Sequence, residues 1–297
     1  MPQNNKKFFQ NTIALVYDFD GTLSPKSMQD YTVLPQFGVD GPTFWPRVDA
    51  ETRATGSEPM LVYMRMMIEE AQRNGRHLTR ADLAALAHVI EYFPGVEQWF
   101  DMINRYVARQ GGGRVGIRHY IISAGNKEIL DRISIARHFA RIYASEYHFD
   151  GDGRAVFPKV VVTDTTKTQF LFRINKEREE LHEEINSHMA GRDRPVPFSN
   201  ILYIGDGASD VPGMVVTRSN GGRAVAVYNP EKPDAVEKCK TLLQAGRVDT
   251  LAEADYREDG ELAKRVRMLL DAMIVNIRLE EELFHCREEY GIPDTRT

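Results

Sequence analysis

The segment Ile13-Ala14-Leu15-Val16-Tyr17-Asp18-Phe19-Asp20-Gly21-Thr22 constrains this chain more than any other. Its apolar run reads as a buried strand, and the Gly-Thr that follows reads as the turn ending it. Residues i and i+2 of a strand share a face, so Asp18 and Asp20 are expected to point the same way. Two like charges held together near a core repel, and each raises the other's pKa. A bound divalent cation relieves that repulsion, and an all-oxygen ligand set suits Mg²⁺. Asp-rich turns after strands are common by themselves, so the reading leans on a second acidic cluster downstream.

The rest of the chain supplies a frame for these two carboxylates. Residues from about 25 to 93 read as mostly helical. Ser57-Glu58-Pro59 is a helix start with Pro in its first turn. Met60 to Ile68 is apolar nearly all round and should be enclosed. Thr79 and Asp82 resemble a capping pair for a helix running to about Tyr92. Phe93-Pro94-Gly95 breaks that helix, and Val96, Trp99, Phe100, Ile103 and Val107 recur at helical spacing. Gly111-Gly112-Gly113 then reads as a turn, since no Lys-Ser/Thr follows to make a phosphate loop.

Strands and helices alternate from there. The pattern predicts strands at His119–Ile122, Arg141–Ala144, Val160–Val162 and Ile201–Ile204, with Ala224–Tyr228 the last strong one. Helices are predicted over Lys127–Phe139, Thr166–Glu180 and about 260–285. Tyr147 to Phe157 reads as a hairpin turning at Asp150-Gly151-Asp152-Gly153, whose spacing fails as a calcium loop. This alternation argues a parallel α/β sheet, with the early helical block inserted after the first strand as a lid.

A chain of 297 residues can bury a full core and a second small one. Its net charge of −5 argues against nonspecific binding to nucleic acid or to an anionic membrane, but leaves an anionic substrate open. No apolar run approaches membrane-spanning length, and the N-terminal Met-Pro-Gln-Asn-Asn-Lys-Lys lacks an apolar signal core. Cys239 and Cys286 form neither a metal-ligand spacing nor a disulfide framework. A cytoplasmic location is the expectation.

The second acidic cluster is Ile204-Gly205-Asp206-Gly207-Ala208-Ser209-Asp210. Its glycines let the backbone turn tightly and approach a ligand. Asp206 falls at a predicted strand end and Asp210 enters the next helix, where either could serve merely as a cap. Ligands of open α/β sheets bind beyond the carboxyl ends of the strands. Asp18, Asp20, Ser123 and Asp206 all fall at such ends, so the topology should bring them together.

Together these segments resemble the haloacid dehalogenase superfamily, in particular its phosphoserine-phosphatase-like branch with a helical C1-type cap. The pattern is Asp-x-Asp-x-Thr, a strand-end Ser or Thr, a Lys, and Gly-Asp-x-x-x-Asp, spread over most of residues 13–228. The resemblance implies a Rossmann-like three-layer α/β core, residues 1–24 and 94–297, with a helical cap at 25–93 inserted after the first strand. It implies a Mg²⁺-dependent phosphatase of a small phosphorylated metabolite. Asp18 would be the nucleophile that forms an aspartyl-phosphate, and Asp20 the acid and then base. Mg²⁺ would be held by Asp18, the Asp20 backbone carbonyl and Asp206, with Asp210 supporting that shell. Thr22, Ser123 and Ala124 would bind phosphoryl oxygens, together with a lysine. Lys167 is the choice for that lysine and Lys176 its rival.

An acid at position 20 favours phosphate leaving groups over carbon–halogen cleavage. Two departures bear on the substrate. Ser27 stands where phosphoserine phosphatases carry an acid that reads the substrate amine, and Ser209 where they usually carry Asn. Gln29, Arg47, Arg53 and Arg65 are candidate cap contacts. A phosphotransferase or mutase on the same machinery, or a noncatalytic interaction module, are the alternative readings. The Leu262–Phe284 segment would pack on the sheet or serve a partner, a homodimer included.

Overall fold

The computed structural model describes residues 7–293, so the N-terminal stretch tested above for a signal core lies almost wholly outside the described residues. Its centre is a seven-stranded sheet in the order β4-β3-β2-β1-β5-β6-β7. The strands are β1 (Thr12–Tyr17), β2 (Gly116–Asn126), β3 (Phe139–Phe149), β4 (Ala155–Val160), β5 (Ile201–Gly205), β6 (Arg223–Tyr228) and β7 (Thr250–Glu253). Every neighbouring pair is parallel except β3 and β4, which form an antiparallel hairpin.

β1 reads as a continuous apolar run because both of its faces are covered, as a central parallel strand requires. Ile13, Leu15 and Tyr17 face one cluster with Trp99, Phe100, Ile103, Leu262 and Val266. These come from α6 (Val96–Gln110) and α11 (Glu261–Tyr290). Ala14 and Val16 face the other, with Phe170, Leu171, Met214, Cys239 and Leu242. Those belong to α8 (Lys167–Lys176), α9 (Val211–Ser219) and α10 (Ala235–Gln244). The result is the expected three-layer α/β arrangement.

Between β1 and α6 the chain forms α1 (Met28–Tyr31), α2 (Val33–Gln36), α3 (Gly41–Thr55), α4 (Pro59–Arg73) and α5 (Arg80–Ala85). α4 starts as expected, with Pro59 in its first turn and the Glu58 side chain accepting from Leu61 N. Thr79 caps α5 through Asp82 N, but the α-helix ends at Ala85 and one 3₁₀ turn replaces the rest. Tyr147 Oη donates to Met64 O at 3.0 Å, tying α4 to β3. The buried side chains of this helical stretch, among them Phe44, Tyr63 and Met67, are continuous with the cluster under β1.

Several element boundaries differ from the sequence expectation. The helix expected over Lys127–Phe139 is a single turn, α7 (Lys127–Leu130). The β-branched Ile133 and Ile135 and the intervening Ser134 propagate a helix poorly, and both isoleucines are buried in the core instead. Of the strand expected at Val160–Val162 only Val160 is in a strand, as the last residue of β4, and Val161 and Val162 lie outside it. α8 stops at Lys176 because Glu177 takes a left-handed conformation, φ 47°. A further short strand, β7, follows Tyr228. No helix among the described residues is long and apolar enough to cross a membrane.

Below the carboxyl ends of the strands a polar chain crosses the core. Trp99 Nε1 donates to Tyr17 Oη at 2.9 Å, Tyr17 Oη lies 3.0 Å from His119 Nδ1, and His119 Nε2 lies 2.9 Å from Asn104 Oδ1. Burial, helped by the His138 charge, pushes His119 down to about 3. The ring is therefore neutral, with Nδ1 accepting from Tyr17 and Nε2–H donating to Asn104.

Candidate active site

The chain leaves β1 toward β2 on one side, and later returns through β5 on the other. β1 and β5 are thus the switch point of the sheet, where a crevice opens beyond the strand ends. Tyr17 is level with Ile204 and with Ile121. The register sets Asp18, Asp206 and Ser123 around one point, and Asp18 N donates to Ile204 O at 3.0 Å.

Lys167 comes to the same point from the first turn of α8. Its Nζ donates to Asp18 Oδ1 at 2.9 Å and to Asp210 Oδ1 at 2.7 Å, with only 1% of its side chain exposed. Burial alone would lower the ammonium pKa, but the two carboxylates outweigh it and hold the group above its ordinary value. Lys176 lies elsewhere, donating to the carbonyls of Ile185 and Ser187.

Asp210 is saturated. Its Oδ1 accepts from Lys167 and from Tyr203 Oη at 2.8 Å, and its Oδ2 accepts from Asp206 N at 3.1 Å and Gly207 N at 3.4 Å. A carboxylate with four donors shapes the loop and has little left for a ligand. Gly205 is required beneath it, since a Cβ there would lie 2.4 Å from Asp210 Oδ2.

Candidate ligand atoms of Asp18, Asp206 and Asp210 lie within 4.8 Å of one another. Gly21, at φ 82°, lets Asp206 lie directly over the turn, where a Cβ would come within 2.2 Å of its Oδ2. Burial, then the Asp210 charge, pushes Asp18 up to about 6, and burial with the charges of Asp210 and Asp18 pushes Asp206 up to about 8. One lysine does not balance these carboxylates, and a divalent cation fits this all-oxygen set.

Asp20 is not among the three grouped carboxylates; its Oδ1 accepts from Met28 N at 2.9 Å. Burial, then the Asp18 charge, raises its pKa well above the usual carboxylate range. Ser123 Oγ accepts from Gly125 N at 3.0 Å. Ala124 O accepts from Tyr63 Oη at 3.1 Å. Thr22 is fully buried with no partner for its Oγ1, while its carbonyl accepts from Tyr256 Oη at 2.8 Å.

Of the helical-segment candidates, Gln29 is buried beside Tyr63, close enough to lower the Tyr63 pKa, which burial raises overall. Arg47 pairs with Glu70, Arg65 pairs with Glu51 and Glu69, and Arg53 is exposed. The sequence reading missed Met28, Tyr63, Tyr203 and Tyr256. Tyr203 carries a usable signal, because it shares a strand face with the Gly205 that closes on Asp210. Met28, Tyr63 and Tyr256 reach the site through tertiary packing and carry no such signal.

A family model for haloacid dehalogenase-like hydrolases matches residues 15–214. An uncharacterised protein of Borreliella burgdorferi is 27% identical over 278 residues, spanning 85% of this chain and 94% of that protein. A haloacid-dehalogenase-family hydrolase structure from Salmonella enterica serovar Typhi is 13% identical, with TM-score 0.55 over 87% of this chain and 71% of that one. An apo phosphoserine phosphatase structure is 15% identical, with TM-score 0.55 over 86% and 98% of the two chains. A phospho-aspartyl intermediate analogue of phosphoserine phosphatase gives 17% and 0.52, over 87% and 99%. At these identities the likeness to the solved structures is one of fold.

Proposed function

The chain belongs to the haloacid dehalogenase-like hydrolase family, and from this we propose that it is a Mg²⁺-dependent phosphatase of a small phosphorylated metabolite. The observation that carries the reading is the buried Lys167 bridging Asp18 and Asp210 beside Asp206, at the switch point of the sheet.

In this reading Asp18 attacks phosphorus and becomes an aspartyl-phosphate. Asp20, whose protonated form is favoured by burial and by the Asp18 charge, gives its proton to the leaving oxygen. The resulting Asp20 carboxylate then takes a proton from the water that hydrolyses the acyl phosphate. Lys167 holds Asp18 in place and offsets phosphoryl charge. Ser123, the Ala124 amide and Thr22 receive the phosphoryl oxygens, which would give the orphaned Thr22 hydroxyl a partner. Asp18, Asp206 and the Asp20 carbonyl would hold Mg²⁺, positioned by Asp210. Bound there, the cation supplies charge neutralisation and orientation for in-line displacement. Residues 25–93 act as a cap over this centre, and the leaving group is read by cap side chains such as Gln29 and Tyr63.

Phosphate release from a panel of phosphomonoesters, with Mg²⁺ and with chelator, tests this reading. Metal-dependent release is expected, with phosphoserine ranked low because Ser27 offers no carboxylate to a substrate amine. Absence of release from every ester by folded, Mg²⁺-loaded protein would overturn the reading.

Cation binding should also appear in stability. The raised pKa values of Asp18 and Asp206 mean that metal-free protein gains stability from these groups at acid pH. That gain is lost as pH rises from their unfolded values of about 4 through about 6 and about 8. A cation replaces the lost protons. The Mg²⁺-induced rise in Tm, measured by calorimetry against chelator, is expected to be larger at pH 8 than at pH 5. Equal shifts at both pH values would place the cation elsewhere.

A further inference from the structure

α11 is 30 residues long, and its inner face is accounted for by Leu262, Ala263, Val266, Leu270, Met273, Ile274 and Ile277. Its outer face should be polar, yet an apolar stripe runs along it. Met268 and Val275 are each 64% exposed, Leu279 53%, Leu283 38% and Tyr290 70%. Ala272 and Cys286 are exposed on the same line. Successive spacings along the stripe are four, three, four, four, three and four, the period of a nearly straight helical seam. Singly exposed apolar residues are ordinary, whereas a continuous row about 33 Å long marks a contact surface.

This order of spacings reads the same from either end, with Leu279 at its middle. Reversing the helix therefore maps Met268 onto Tyr290, Ala272 onto Cys286, Val275 onto Leu283, and Leu279 onto itself. Charge is distributed the opposite way. The amino half carries Lys264, Arg265 and Arg267 against Glu261 and Asp271. The carboxyl half carries Glu280, Glu281, Glu282, Glu288 and Glu289 against Arg287 alone, Arg278 adding to the positive side of the amino half. Parallel pairing would lay acidic half on acidic half. Antiparallel pairing lays the net-positive half on the net-negative half and also opposes the helix dipoles.

We propose that the exposed stripe of α11 is an isologous dimer interface, occupied by α11 of a second copy running antiparallel about a two-fold axis at Leu279. The same patch on both subunits satisfies the self-complementarity that a two-fold contact demands. The surface lies on the side of α11 facing away from the sheet. It goes beyond the phosphatase reading and stands or falls separately from it, because its readout is mass and crosslinking rather than turnover.

Sedimentation of the full chain over a range of concentrations tests the contact. The native protein is expected to dimerise reversibly. Leu279→Glu, which brings two carboxylates together on the axis, should raise the dissociation constant by about thirtyfold or more, as loss of a central contact does. Its circular dichroism should not change, since Leu279 is 53% exposed and belongs to neither core cluster. Orientation is read by oxidation. Ala272→Cys should yield a crosslinked dimer through the native Cys286, and adding Cys286→Ser should abolish it. A native protein that stays monomeric, or a dimer indifferent to Leu279→Glu, overturns the proposal. A Cys286–Cys286 crosslink in native dimer overturns the antiparallel arrangement.

Discussion

Asp18→Asn is expected to lower phosphate release by about 10⁴-fold or more, while the metal-free protein melts at an unchanged or higher temperature. The two effects have one cause. A neutral amide cannot attack phosphorus, and it removes a charge from a place where burial and Asp210 oppose charge. The amide oxygen can still accept from Lys167, so the local geometry survives. A site that gains stability when its nucleophile is neutralised is one where stability has been traded for chemistry. Phosphate release and calorimetry on one preparation decide the matter. Turnover near that of the native protein would rule out Asp18 as nucleophile.

Lys167→Met should damage both activity and fold. The ammonium is enclosed and touches two carboxylates, so its loss strands Asp18 and Asp210 without a counter-charge. Removing one partner of a buried pair typically costs about 3–5 kcal/mol. Loss of a charged donor at the phosphoryl site should cost about 10²–10³ in turnover. Because the folded pKa of Lys167 is raised, its contribution is complete below its unfolded value of about 10.4, across the whole neutral range. In the variant Asp18, already raised by burial and the Asp210 charge, can take up a proton, so the deficit should shrink as pH falls from 8 toward 5. Denaturant titrations at both pH values measure this. A loss below about 1 kcal/mol at pH 8 would mean that Lys167 is not the balancing charge.

The features legible in the sequence were those carried by local pattern. The apolar run before Asp18, the glycines around Asp206 and the alternation of strand and helix each reflect a nearby physical demand, and the sheet and its loaded strand ends follow from them. Lys167 stood out only through its place at a helix head after a strand; its contacts with Asp18 and Asp210 favour it over Lys176, which donates to backbone carbonyls elsewhere. Misread boundaries have tertiary causes. The Lys127 helix stops early because Ile133 and Ile135 gain more from burial than from helical continuation. Tyr63 and Tyr256 were missed because each reaches the site from a segment far away in sequence, and Met28 because it does so through its backbone amide, which no side-chain pattern encodes.

The polar chain Trp99–Tyr17–His119–Asn104 has a consequence for assembly of the chain. It joins α6, β1 and β2 by donors and acceptors that match in one alignment of these elements. Sliding β1 by one residue against β2 would turn Tyr17 to the opposite face and leave these groups buried and unmatched, at about 1–3 kcal/mol each. Apolar neighbours such as Ile13 and Leu15 would tolerate such a slip far better. The chain thus favours one register of β1 against β2, and with it one height of Asp18 relative to Ser123. A polar device beneath the strand ends would in this way set the spacing of side chains that lie beyond it.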